Sequence, residues 1–160
     1  MASYSVGEHR LTGQTVRNEI KIQFPSLSVN EGMARAAVAA FCAQADPGAT
    51  ELADIKCAVS EAVTNCIVHG YRDTVGEIQI RARIYSGGWV KIVIKDRGCG
   101  IEDVRQAREP LYTTDAEGER SGMGFAVMEN FCDGVRVCSS VGKGTAVTLI
   151  KRLGERQCIT

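Results

Sequence analysis

The hydrophobic and polar positions change period several times along the chain. Ile20, Ile22 and Phe24 alternate with Glu19, Lys21 and Gln23, the period of two that marks a half-buried strand, and Pro25 ends it. Residues 1–16 are polar and aperiodic and read as a loose N-terminal extension. Ser28 followed by Glu31 predicts a capping box for an Ala-rich helix from about Asn30 to Ala45, broken by Asp46-Pro47-Gly48. A second helix is expected from about Thr50 to His69, because Leu52, Ile55, Val59, Ala62 and Cys66 recur at spacings of three and four and Gly70 stops it. Ile78, Ile80, Ala82 and Ile84 then alternate, Ser86-Gly87-Gly88 turns the chain, and Val90, Ile92 and Ile94 return as the second arm of a hairpin. A short helical segment at 102–108, a polar stretch from Glu109 to Ser121, and a helix opened by Gly122-Met123-Gly124 and running to about Phe131 follow. Val135 to Ser139 and Thr145 to Lys151 read as two closing strands. Strand, two helices, hairpin, helix and hairpin is the order of an α+β layered domain, here spanning 17–153 with a tail at 154–160.

The second helix carries another stripe. Asp54, Ala58, Glu61 and Asn65 recur at the same spacings on a different face. Glu61 and Asn65, four apart, stack on one side, where a carboxylate and an amide oxygen can converge on one site. An amide oxygen is a hard ligand suited to Mg²⁺, and a carboxylate one turn away can accept a proton from an attacking hydroxyl. The competing account of the stripe is a solvated helix face.

Composition narrows the rest. Lys plus Arg and Asp plus Glu both total 19, so net charge is zero and no global pull toward nucleic acid or anionic membrane exists. No apolar run approaches the length of a membrane span and no signal peptide precedes the domain, so the expected location is the cytoplasm. The seven cysteines are scattered and never spaced C-x-x-C, which argues against zinc or a disulfide framework and for small buried residues in a reducing compartment. The 17 glycines exceed what turns require, and three clusters, at 98–100, 122–124 and 142–144, fall where strands end or helices begin. Such places let a backbone approach a ligand closely and offer free N–H groups to phosphate. Neither a Walker nor a Rossmann glycine pattern is present.

Glu61-Ala62-Val63-Thr64-Asn65, Asp96-x-Gly98-x-Gly100-Ile101, Gly122-Met123-Gly124-Phe125 and Gly142-Lys143-Gly144-Thr145 resemble, in order and spacing, the N, G1, G2 and G3 boxes of the GHKL ATPase and kinase superfamily. Ser60 to Asn65 with His69-Gly70-Tyr71, Pro110 to Thr114, Glu119 to Phe125 and Met128 to Phe131 narrow the resemblance to its sporulation anti-sigma kinases, over roughly residues 17 to 153. The resemblance implies a two-layer α/β sandwich of the Bergerat type, a mixed and mainly antiparallel sheet with helices on one face and ATP on the helical side. It also implies a cytoplasmic homodimer that binds a sporulation sigma factor and uses Mg-ATP to phosphorylate a serine on an anti-anti-sigma partner.

Carried onto this chain, the resemblance makes Glu61 the catalytic base and Asn65 the Mg²⁺ ligand. Asp96 becomes the acceptor of the adenine amino group, a carboxylate that would face an unpairable carbonyl in guanine. His69, Gly70, Gly98, Gly100, Ile101 and Thr145 would surround the nucleotide. Residues 109 to 121, with Thr113, Thr114, Arg120 and Ser121, resemble an ATP lid, and Gly122, Met123, Gly124 and Phe125 would meet the triphosphate at a helix start. Arg120 could reach phosphate or a protein partner, and Arg35, a charge among alanines, is a candidate partner contact. Cys99 would place a thiol near the nucleotide. Two other functional classes compete: a binding module that uses ATP only to set its shape, and a histidine kinase catalytic domain, which the absence of a phosphoacceptor helix pattern disfavours. A stress-response rather than a sporulation sigma factor is the alternative partner.

Overall fold

The computed structural model describes residues 1–6, 11–109 and 123–154. Six strands form one sheet in the order β1-β5-β6-β4-β3-β2: β1 (Ala2–Val6), β2 (Val16–Pro25), β3 (Glu77–Tyr85), β4 (Trp89–Lys95), β5 (Gly134–Ser140) and β6 (Gly144–Arg152). The helices are α1 (Asn30–Cys42), α2 (Ala49–Asn65), α3 (Val104–Ala107) and α4 (Gly124–Phe131). The α+β expectation holds, and the sheet is wholly antiparallel rather than mixed among the described residues. Two hairpins account for β3–β4 and β5–β6. The pair α1 and α2 returns the chain to the end of the sheet where β2 stopped, so β3 must run against β2. The Ser26 N–H bonds to the Gly76 carbonyl at 2.8 Å and closes that return.

Two local expectations fail. The N-terminal stretch is not loose throughout, because Ala2–Val6 pairs with Val135–Ser139 and covers the open edge of β5. Its Ala-Ser-Tyr-Ser-Val alternation is too short and too small to stand out as a strand. The Ser28 capping box is also absent. Val29 takes the cap position of α1 without a side-chain bond, while the Glu31 carboxylate turns to Arg35, 3.7 Å away. It is α2 that uses such a device, with Glu51 accepting the Gly48 N–H at 2.7 Å.

One face of the sheet is apolar. Phe24, Ile78, Ile80, Ile92, Ile94, Val137, Val147 and Leu149 pack with Val38 and Phe41 of α1, Ile55, Val59 and Val63 of α2 and Met128 of α4. Each such side chain contributes about 1.5 to 3 kcal/mol when fully buried. The other face presents Lys21, Arg81, Arg83, Lys91 and Lys95, and Glu19 lies 2.5 Å from Arg83 and 3.3 Å from Lys21.

The polar stripe of α2 divides here. Ala58 is fully buried. Asp54 accepts from Lys151 Nζ at 3.1 Å, and the same ammonium donates to the Phe131 carbonyl at 2.7 Å, so this pair ties α2 and α4 to β6. Only Glu61 and Asn65 remain for chemistry. Asp54→Ala is predicted to cost about 2 kcal/mol, the scale of a hydrogen bond to a charged group, read as a lower urea midpoint. An unchanged midpoint would show that the tie does not hold the layers together.

Candidate functional site

The last turn of α2 widens. Over Cys66–Gly70 the helix becomes a π turn, and the Tyr71 N–H reaches back five residues to the Cys66 carbonyl at 2.9 Å. The carbonyls of His69 and Gly70 are thereby presented to the loop that leaves β4. The Cys99 N–H donates to the Gly70 carbonyl at 2.8 Å, and the Cys99 thiol to the His69 carbonyl at 3.0 Å. A side chain at Gly98 could not be accommodated, since a Cβ there would lie 2.1 Å from the Gly70 oxygen. The same loop meets the β5–β6 turn, where the Gly142 N–H donates to the Cys99 carbonyl at 2.7 Å. A Cβ on Gly144, itself at φ +96°, would lie 2.2 Å from the backbone carbonyl oxygen of Asp96.

These approaches bury Asp96, which is 3% exposed. Its Oδ1 accepts the Gly98 N–H at 2.8 Å and the Thr145 N–H at 3.3 Å. Both backbone donors fall on Oδ1, so neither engages Oδ2. The nearby Cys66 thiol also favours the charged form of the carboxylate. Burial raises the Asp96 pKa above the ordinary carboxylate value, against the lowering effect of these donors. Beneath Thr145, the buried Ser139 hydroxyl accepts the Ile101 N–H at 2.8 Å and lies 2.8 Å from the Thr145 hydroxyl.

Asp96 lies in the wall of a cavity of about 800 Å³. Among the expected residues, Asn65, His69, Gly70, Asp96, Gly100, Ile101, Gly124, Phe125 and Thr145 line it. Gly98 and Met123 are not among its lining residues, and Met123 is 40% exposed. Glu61 also stands outside the lining, at the start of α4: a Cβ on Gly124 would be 3.0 Å from Glu61 Oε2 and 3.4 Å from the Asn65 amide. The first turn of α4 therefore meets the Glu61–Asn65 face, as the helical spacing of those two residues suggested. Thr113, Thr114, Arg120, Ser121 and Gly122 lie outside the described residues. Arg35 is half exposed on α1, away from the cavity lining.

A family model for the histidine kinase-like ATPase domain matches residues 24–151. An anti-sigma F factor of Anoxybacillus flavithermus is 51% identical over 144 residues, covering 90% of this chain and 99% of the relative. One from Thermoanaerobacter sp. strain X514 is 53% identical over 138 residues, 86% of this chain and 96% of the relative. The chain belongs to the anti-sigma F factor family of histidine kinase-like ATPase domains. The solved RsbU and RsbW domains of Rv1364c from Mycobacterium tuberculosis share its fold, with a TM-score of 0.63 and 22% identity, over 87% of this chain and 33% of that one.

An ATPase domain of this family implies an adenine nucleotide, and the site fits one. The cavity volume is within the ~300–1,000 Å³ range of small-molecule pockets. Its wall holds a buried carboxylate with an oxygen that the backbone donors leave unused. For Mg²⁺, the Asn65 side chain in the cavity wall carries an amide oxygen, a hard donor of the kind that the ion takes together with phosphates and water.

The site also contains residues that sequence reasoning did not assign to it. Cys66 belongs to the apolar stripe of α2, and its contact with Asp96 follows from the π turn, which no periodicity announces. Arg72, Glu102, Asp103 and Gln106 line the outer part of the cavity. Asp103 has a structural task there, accepting the N–H groups of Arg105 and Gln106 at 2.9 and 3.1 Å to start α3. Of the six described cysteines, only Cys42 and Cys66 are buried, fewer than expected.

The raised pKa gives a pH prediction. The folded state holds the Asp96 proton more tightly than the unfolded chain, so this group adds stability as pH falls through its titration. On the sequence expectation, this carboxylate is the acceptor of the adenine amino group; protonation then weakens the contact, and ATP affinity should fall over the same interval, beginning above the ordinary carboxylate value of about 3.9. Calorimetric titration with ATP against pH should show this decline, and Asp96→Asn should bind weakly with little pH dependence. A wild-type affinity that stays flat through the titration would contradict the role of the carboxylate.

Proposed function

We propose that the chain holds a sporulation sigma factor away from RNA polymerase and uses Mg-ATP to phosphorylate a serine on an anti-anti-sigma partner. The observation that carries this reading is the meeting of Glu61, Asn65 and the start of α4 beside a cavity whose wall contains Asp96. In this reading Asp96 Oδ2 accepts from the adenine amino group, with Gly70, Gly98, Gly100, Ile101 and Thr145 shaping the base end. Asn65 holds Mg²⁺, and the N–H groups at Gly124 and Phe125 face the phosphates. His69, Thr113, Thr114, Arg120, Ser121, Gly122 and Met123 complete the nucleotide contacts. Bound ATP would supply the γ-phosphoryl group. Glu61 would take the proton of the acceptor serine hydroxyl as its oxygen becomes the nucleophile.

Arg35 is the proposed partner contact, together with Arg120. Leu27, Val29 and Met33 precede Arg35 at the β2–α1 corner, exposed at 43%, 82% and 46%. Exposed apolar residues flanked by charge suit a protein interface better than a purely solvated surface does. A homodimer acting in the cytoplasm completes the reading, and no helix among the described residues is long and apolar enough to cross a membrane.

One observation favours a second reading. Glu61 stands outside the cavity lining, as it could in a binding module that uses ATP without transferring phosphate. Glu61→Gln separates the two. It should leave ATP binding within a few fold while lowering phosphoserine formation by ~10²–10⁴. Equal transfer by variant and wild type would remove Glu61 from the chemistry. Asn65→Ala should instead weaken Mg-ATP binding, and unchanged affinity would argue against its metal role.

A further inference from the structure

Tyr71 lies immediately after the π turn and outside the cavity wall, yet it links the π turn, the start of β3 and the loop that leaves β4. Its N–H closes the π turn on the Cys66 carbonyl at 2.9 Å. Its carbonyl accepts the Thr74 N–H at 2.9 Å and the Thr74 hydroxyl at 2.7 Å. Its ring fills the space over Gly76, where a Cβ would be 2.0 Å from the ring. The phenol hydroxyl then uses both of its capacities. It donates to the Glu77 carbonyl at the first residue of β3 and accepts the Arg97 N–H at 2.9 Å.

That last bond matters for Asp96. The Arg97 N–H belongs to the peptide joining Asp96 to Arg97, so the phenol fixes the plane of that peptide. On the other side, the Asp96 N–H is held by the Thr145 carbonyl at 2.9 Å. One residue further on, the Gly98 N–H is the shorter of the two backbone bonds to Asp96 Oδ1. Releasing Arg97 would free the 97–98 backbone to turn and would loosen that bond, leaving Oδ1 as well as Oδ2 open to a ligand.

We propose that Tyr71 is a positioning residue that sets base selection, by clamping the Asp96–Arg97 peptide to the start of β3 so that the carboxylate keeps one fixed orientation. This rests on the adenine-binding reading of the cavity. A carboxylate held in one pose discriminates between an amino group and a carbonyl on the base, because the wrong base leaves a buried acceptor facing another acceptor. A carboxylate free to turn loses that discrimination before it loses binding. The phenol acts through Asp96 and does not touch the nucleotide.

Tyr71→Phe keeps the ring over Gly76 and removes only the two hydroxyl bonds, so the variant should fold. ATP and GTP affinities are measured by titration on the full chain, with and without Mg²⁺, alongside thermal melting. The expected result is a rise of about fivefold in the ATP Kd, the scale of one net hydrogen bond, with the GTP Kd little changed, so that the ATP-to-GTP preference narrows. The KM for ATP in serine phosphorylation should rise by the same factor, while kcat changes less. Thr74→Val removes a bond of the same loop that does not reach Arg97. It should lower the melting temperature and leave the ATP-to-GTP ratio at the wild-type value. A Tyr71→Phe protein that melts earlier but keeps the full ATP-to-GTP preference overturns the proposal and leaves Tyr71 a loop staple. Failure of the wild type itself to prefer ATP would overturn the adenine reading instead.

Discussion

The end of α2 and the loop leaving β4 can lie this close because Gly98 carries no side chain, and Gly70 leaves little room for one. A Cβ on Gly98 would lie 2.1 Å from the Gly70 oxygen, and one on Gly70 would lie 3.2 Å from the Asp96 carboxyl carbon. Around that contact the rest of the site is ordered. The loop places the Gly98 amide on Asp96 Oδ1, the β5–β6 turn adds the Thr145 amide, and α4 closes the far side against Glu61 and Asn65. The apolar face of the sheet supplies the stiffness: Ile94 and Val147, paired across β4 and β6, lie just inside the strand ends that carry Asp96 and Thr145.

Electrostatics at this contact is a compromise. Burying a carboxylate disfavours its charged form, and amide and thiol donors recover part of the loss without removing it. A fully satisfied Asp96 would have nothing left for a ligand. The arrangement concentrates the backbone donors on one oxygen, and the raised pKa reflects the cost of holding a buried anion in readiness. Asp54 and Lys151 show the opposite solution, a carboxylate whose partner is supplied by the protein itself and which has a structural task only. Asp54 lies on the polar stripe of α2 and Asp96 on the loop that leaves β4, and their fates differ because β6 presents a lysine to one while the other meets only backbone amides and a neutral thiol.

The strands and the long helices were legible because their signals are collective. Four alternating residues in β3 and the i, i+3, i+4 series in α2 each repeat a decision several times, and tertiary packing agrees with them. Signals that rested on one pair failed. Ser28 and Glu31 have the spacing of a capping box, but Arg35 is in reach of the Glu31 carboxylate and the cap is not made. The edge strand Ala2–Val6 has too few apolar positions to announce itself and depends on the exposed edge of β5 for its pairing. Of the cavity's lining, Asn65, Asp96, Gly100 and Gly124 are singled out by the order of the boxes. Cys66 and Tyr71 could not be given their contacts, because both depend on a π turn that adds one residue to the helix without changing its composition.

The central proposal is that a nucleotide pocket built around Asp96 serves phosphoryl transfer to a protein serine. Mixing the full chain with Mg²⁺, ATP labelled at the γ-phosphate and a candidate anti-anti-sigma protein tests it most directly. The account predicts label on a serine of the partner, absent when Glu61 is replaced by Gln. ATP bound normally, in the presence of the partner, with no phosphoserine formed by the wild type would contradict it.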